Sequence, residues 1–146
     1  MTGKGAADLL TREEIRAFTR RSDAAGALAI TWTWLVIVGC FVALALVPHP
    51  AVFVAAVVVL GGRQLALAVA MHEAAHGTLF RSRWCNEVLT DWLCARPVWS
   101  DTARYREHHL GHHAHTGTER DPDLGLALAE PMSRGSLARK LLRDVT

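Results

Sequence analysis

The chain has 146 residues, is 51% hydrophobic and 21% charged, and carries a formal net charge of +2. That length allows one modest domain, and so small and scattered a charge gives no footing for nucleic acid as a partner. The three cysteines, Cys40, Cys85 and Cys94, are odd in number and lack CxxC spacing, which excludes a disulfide framework or zinc ribbon and predicts reduced, largely buried thiols.

Residues 1–26 read as a cytoplasmic amphipathic segment. Thr11-Arg12-Glu13-Glu14 is a capping box, and Ile15 and Phe18 follow at helical spacing, which predicts a short helix on a membrane surface. Residues 27–71 read as two transmembrane helices with a turn at 48–50. Between residues 24 and 62 there is no Asp, Glu, Lys or Arg, and about 20 apolar helical residues cross a bilayer core of about 30 Å. Trp32 and Trp34 stand toward one end of the first run, where aromatic side chains favour the interface. Pro48-His49-Pro50 then stops the helix. A cleaved signal peptide is the competing reading of this run. It starts late, is too long for such a segment, and has no convincing cleavage site before the next span.

The second run, 51–71, is apolar except at Arg63 and Gln64, beside Gly61-Gly62. An arginine near mid-span is costly, so a kink or exposure toward the cytoplasmic side is expected there. Arg12, Arg16, Arg20 and Arg21 precede the spans, Arg81 and Arg83 follow them, and the turn has neither Lys nor Arg. Positive residues stay inside, so both ends of the pair face the cytoplasm and His49 lies on the far side, away from the other histidines. The fold class is therefore all-α: an integral membrane helical hairpin with cytoplasmic and interfacial helices.

Residues 72–146 form a histidine-rich cytoplasmic region. Seven of the eight histidines lie between positions 72 and 115, in two clusters. In His72-Glu73-Ala74-Ala75-His76 the two imidazoles are four residues apart and share one helix face, so both can reach one metal. After it, residues 88–94 predict an interfacial helix ending near Arg96-Pro97, with Trp84, Trp92 and Trp99 as interfacial anchors or core. The second cluster is His108-His109-Leu110-Gly111-His112-His113-Ala114-His115. On a helix, His109, His112 and His113 fall within about 100° of arc, while His108, His112 and His115 make a narrower stripe, so geometry leaves the ligands open. A solvated helix that is merely His-rich explains five histidines in eight residues poorly. Imidazole suits zinc, copper, iron and nickel; the surplus of histidines and absence of paired cysteines point to two metals or a nitrogen-rich redox site. After Pro131, residues 133–143 predict the start of another amphipathic helix.

His72-x-x-x-His76 directly after a span, followed about thirty residues later by His109-x-x-His112-His113, resembles the first two histidine boxes of membrane fatty acid desaturases. Gly77, Arg106 and Asp121-Pro122-Asp123 are also similar, and the resemblance covers roughly residues 63–124. It implies an all-helical oxidoreductase in a bacterial inner membrane, with a di-iron centre that uses O2 to desaturate a fatty acyl chain. It implies His72, His76, His109, His112 and His113 as iron ligands, ahead of His108 and His115, with Glu73 or Asp121 orienting a ring. A ferredoxin-like or cytochrome-type protein would supply electrons. The family pattern has a third His-x-x-His-His after further spans, which predicts that this is an N-terminal portion, inactive alone. Alternatives are a hydroxylase or ketolase of the same superfamily, a non-catalytic metal-binding hairpin, and a membrane zinc peptidase using His72-Glu73-x-x-His76.

Overall fold

The computed structural model describes residues 9–127 and 133–145; its regular structure is helical, with no strand among the described residues. The first eight residues of the N-terminal segment, and Pro131, lie outside the described residues. The chain divides into two compact units, Met1–Arg106 and Glu107–Thr146.

In the first unit, α1 (Arg12–Phe18) opens with the capping box: the Glu14 amide donates to Thr11 Oγ1 at 3.2 Å and the Thr11 amide to Glu14 Oε2 at 2.8 Å. Two of the orphan amides at the helix start are thereby satisfied. The ring of Phe18 is exposed. Helix α2 (Asp23–Leu46) starts behind Ser22, whose hydroxyl accepts from the Ala25 amide. Helix α3 (Pro50–Ala75) starts behind His49, whose Nδ1 accepts from the Ala51 amide at 3.2 Å, with proline at the first helical position. His49 is thus a helix cap.

Both α2 and α3 are long and apolar enough to cross a membrane. Leu35, Phe41, Val42, Phe53, Val58 and Leu65 are exposed on different sides of them, and few of their residues are buried. Leaving one such side chain in water forgoes about 1.5–3 kcal/mol. Helices apolar all round need a lipid environment or a large core, and these have no such core among the described residues.

With its 26 residues, α3 is about 39 Å long at 1.5 Å per residue, against a hydrocarbon layer of about 30 Å. Its last turns, with His72, therefore project beyond the layer when Pro50 sits at the opposite face. The kink expected near Gly61-Gly62 takes no form of a break: α3 is one continuous α-helix. Arg63 is half-buried and lies about 20 Å along the axis from Pro50, a depth from which its long side chain would have to snorkel to meet the polar boundary.

Beyond α3 the loop at Leu79 and Phe80 lies against the start of α2. A Cβ on Gly26 would stand 2.7 Å from the Leu79 carbonyl oxygen and 2.8 Å from the Phe80 ring, so only glycine permits this approach. Phe80 joins Ile30, Leu67, Met71, Cys94 and Ala95 in the core cluster. Asn86 is buried and fully engaged, accepting from the Phe80 amide and donating to the Phe80 and Ser82 carbonyls.

The segment expected as an interfacial helix is helical but wide: π-turns at Cys85–Leu89 and Asp91–Ala95, then a 3₁₀ turn at Arg96–Val98. Buried Thr90 stabilises it by donating to the Cys85 carbonyl five residues back. Trp99 ends it with φ of 58°, a left-handed conformation rare for a bulky residue, and is almost wholly exposed. Trp84 and Trp92 are exposed as well, so none of the three tryptophans is core. Trp34 is half-buried and its indole N–H donates to the Leu93 carbonyl at 3.0 Å, tying α2 to the π-helical segment. All three cysteines are free; burial pushes the Cys94 thiol up to about 12, so it is chemically inert.

Helix α4 (Thr102–His115) is capped by Asp101, whose Oδ1 accepts from the amides of Ala103 and Arg104. It carries the second histidine cluster into the second unit, which continues through α5 (Leu124–Ala127) to α6 (Arg134–Val145). In α6, Leu137 and Leu141 are exposed one turn apart, the amphipathic pattern expected from residues 133–143.

Candidate metal centre

In the first unit, the last turn of α3 places the His72 and His76 rings with centroids 4.9 Å apart. The helix ends there through a Schellman motif: the Gly77 amide donates to the Ala74 carbonyl and the Thr78 amide to the Glu73 carbonyl, each at 2.9 Å. This requires Gly77 in the left-handed region, at φ +69°. Glycine after the first cluster is therefore a helix stop. Arg106 holds the same end from the other side, donating from Nε to the Ala75 carbonyl at 3.0 Å and from Nη2 to the Ala74 carbonyl at 3.1 Å. Its charge also complements the negative end of the helix dipole.

His72 Nδ1 lies 3.0 Å from the hydroxyl of Tyr105. A partner on Nδ1 orients the ring and would present Nε2 to a metal. Sequence reasoning missed Tyr105; its one signal is that it is the sole tyrosine. Glu73 does not orient a histidine: its Oε2 accepts from the Thr78 hydroxyl at 2.6 Å. Its carboxylate borders an apolar groove of about 390 Å³ between α2 and α3, lined by Ile30, Leu65, Leu67 and Val69.

In the second unit, α4 brings His109, His112 and His113 together. His109 Nε2 and His113 Nε2 are 3.0 Å apart, and the His112 ring centroid is 6.5 Å from that of His109 and 5.8 Å from that of His113. Two nitrogens each about 2.1 Å from one ion, at right angles, stand about 3.0 Å apart. The donor set therefore fits a metal ion bound by both imidazoles.

His112 is oriented by Asp121, whose Oδ1 accepts from Nδ1 at 2.7 Å. Asp121 is itself pinned: it is nearly buried and accepts from the Gly117 amide at 2.8 Å and the Asp123 amide at 2.9 Å. Gly117 permits the turn with φ of +73°. The bond from His112, then that from Gly117, hold the Asp121 carboxyl down at about 2, and the same bond to Asp121 raises the His112 imidazole above its ordinary value. A carboxylate on Nδ1 again leaves Nε2 for a metal. His108 is engaged elsewhere, its Nε2 lying 2.8 Å from Asp123 Oδ1. His112, Asp121 and Asp123 also form a second group with ligating atoms within 4.8 Å of one another, but the Nδ1 that joins it is the one bonded to Asp121.

Residues 48–146 match the family described as fatty acid desaturase. The chain belongs to the fatty acid desaturase family. No curated protein and no solved structure matches it. Family membership brings an oxidoreductase of the lipid-oxygenase type, a membrane setting and a lipid substrate. This desaturase-family chain carries both of its histidine clusters, the Arg106 clamp and the Asp121 turn inside the matched residues.

Proposed function

We propose that this protein is a membrane di-iron oxygenase that introduces a double bond into a fatty acyl chain, using O2 and electrons from a ferredoxin-like or cytochrome-type donor. His72 and His76 on α3, and His109, His112 and His113 on α4, are its iron ligands, ahead of His108 and His115. The observation that carries the reading is the 3.0 Å approach of the His109 and His113 Nε2 atoms beside a carboxylate-oriented His112.

Bound iron would supply O2 activation and the one-electron changes needed to break an unactivated C–H bond. The chain's own groups prepare for that. Tyr105 and Asp121 hold His72 and His112 by Nδ1 and leave Nε2 toward the metal. Arg106 and the Gly77 stop fix the end of α3, so the first pair keeps its register. Neutral imidazoles add no charge to a site at the membrane edge. The apolar groove beside Glu73 would take hydrocarbon and exclude water.

The arginines flanking the hairpin support an orientation with both ends of the pair in the cytoplasm. The zinc peptidase alternative is less economical: Glu73, its required base, accepts from Thr78, and the second cluster would have no role.

The test is to purify the chain from membranes, determine bound metal by mass spectrometry, and analyse host acyl chains under air with a reductant. Iron that is lost in His72→Ala and His109→Ala supports the reading, and O2-dependent new double bonds are expected when the third His-x-x-His-His of the family pattern is present as well. Zinc alone together with Glu73-dependent peptide hydrolysis would sink it, and hydroxylated product would move it to the hydroxylase branch.

A further inference from the structure

A second basin, of about 310 Å³, opens in the first unit between the start of α2 and the end of α3. Arg21, Arg81, Arg83 and Arg106 line it, with Glu87 as the one lining carboxylate and His76 in its wall. Asp23 lies close by, its Oδ1 accepting from the Arg81 amide at 2.8 Å. Even with both carboxylates counted, positive charge is in excess.

The arginines divide by what they have left to offer. Arg106 spends Nε, Nη1 and Nη2 on the Ala75 carbonyl, Glu87 and the Ala74 carbonyl. Arg81 spends Nε on the Arg21 carbonyl at 2.7 Å, and Arg83 spends Nε on Glu87 at 3.0 Å, which aims each fork and leaves its Nη groups. The Arg21 guanidinium has no carboxylate partner among the described residues. Paired guanidinium forks around a concave basin match the planar, bidentate recognition of phosphate oxygens.

Position decides the source of that phosphate. Arg21 lies two residues before α2 begins, and Ala75 and Gly77 stand at the end of α3, so the basin sits where both apolar helices emerge. In a bilayer that is the plane of the lipid phosphates. We propose that this basin binds the phosphate of an anionic glycerophospholipid headgroup, beside the first histidine pair. The site needs only the membrane setting of the hairpin and does not depend on the oxygenase chemistry.

The test reads binding alone. The full chain in neutral detergent is titrated with dihexanoyl-phosphatidylglycerol, with coenzyme A and inorganic phosphate as the soluble phosphate sources, following tryptophan fluorescence. Trp84 is exposed next to Arg83 and reports locally. Saturable binding of the phospholipid, weakened about five-fold by Arg21→Gln and again by Arg83→Gln, is expected. Arg20→Gln, which is outside the basin, should leave it unchanged. Among the described residues the Arg21 side chain makes no hydrogen bond or ion pair, so its loss should act on binding and not on folding. Equal affinity in Arg21→Gln and the parent protein overturns the proposal. So does tighter binding of coenzyme A or inorganic phosphate than of the phospholipid, which would assign the basin to a soluble phosphate.

Discussion

Arg106 donates to the carbonyl of Ala75 at 3.0 Å, so the arginine three residues before His109 closes the helix that carries His72 and His76. With the Ala74 carbonyl and Glu87 it makes three charge-assisted bonds in one half-buried place. Bonds to charged groups contribute about 1.5–3 kcal/mol each when partners would otherwise be stranded. Arg106→Gln should therefore lower unfolding free energy by about 2 kcal/mol. Arg106→Lys should recover only part, because an ammonium cannot span two carbonyls and a carboxylate. Chemical denaturation in detergent measures both, and an unchanged midpoint for Arg106→Gln would remove the clamp from the argument.

Asp121 and His112 set a pH window for the turn after α4. The Asp121 carboxyl is depressed to about 2 from 3.8, so its contribution is present above about 3.8 and is lost as pH falls through about 2. The His112 imidazole is raised above 6.5, so its contribution is complete below 6.5 and is lost as pH rises through the raised value. In the metal-free protein the contact is strongest between these limits. Asp121→Asn should bring the His112 titration back down, followed by NMR of the imidazole protons; an unmoved titration would break the link.

Gly26 should tolerate no side chain. Its Cβ would meet the Leu79 carbonyl oxygen, a backbone atom that cannot rotate away. Gly26→Ala is expected to cost about 1–3 kcal/mol, the usual range for overpacking. Gly39 has nothing within 4 Å of the same position, so Gly39→Ala should be neutral or slightly stabilising. Comparison of the two thermal midpoints separates steric contact from helix propensity.

Metal content should sort the histidines. His108→Ala is expected to leave bound metal unchanged, because its Nε2 faces Asp123. His112→Ala should reduce it strongly, and Asp121→Asn about ten-fold or more in affinity, as for other carboxylates behind a ligating ring. Parallel metal analyses of the three purified variants check this, and equal loss in His108→Ala would return that residue to the ligand set.

The hairpin was legible in the sequence because burying apolar surface is a property of composition: no Asp, Glu, Lys or Arg interrupts residues 24–62, and prolines 48 and 50 mark the turn. The capping box at Thr11 and Glu14 was legible for a similar reason, since its partners are three residues apart. Both histidine clusters were visible as spacings, and Asp121 as a neighbour. What spacing could not give was the partner of each polar group. His108 and His112 stand one turn apart on one helix, and only the fold of the Gly117–Asp123 turn puts Asp121 on one and Asp123 on the other. Glu73 followed His72 in the chain as a plausible helper, yet the Schellman turn at Gly77 delivers Thr78 to it instead. Tyr105 and Arg106 reach α3 across some thirty residues, a distance at which no local pattern operates. The sequence by itself therefore determined which segments seek lipid and which residues can ligate. Tertiary structure decided which nitrogen of the His72 and His112 rings a protein partner holds, because hydrogen bonds are short and directional while hydrophobic burial is neither.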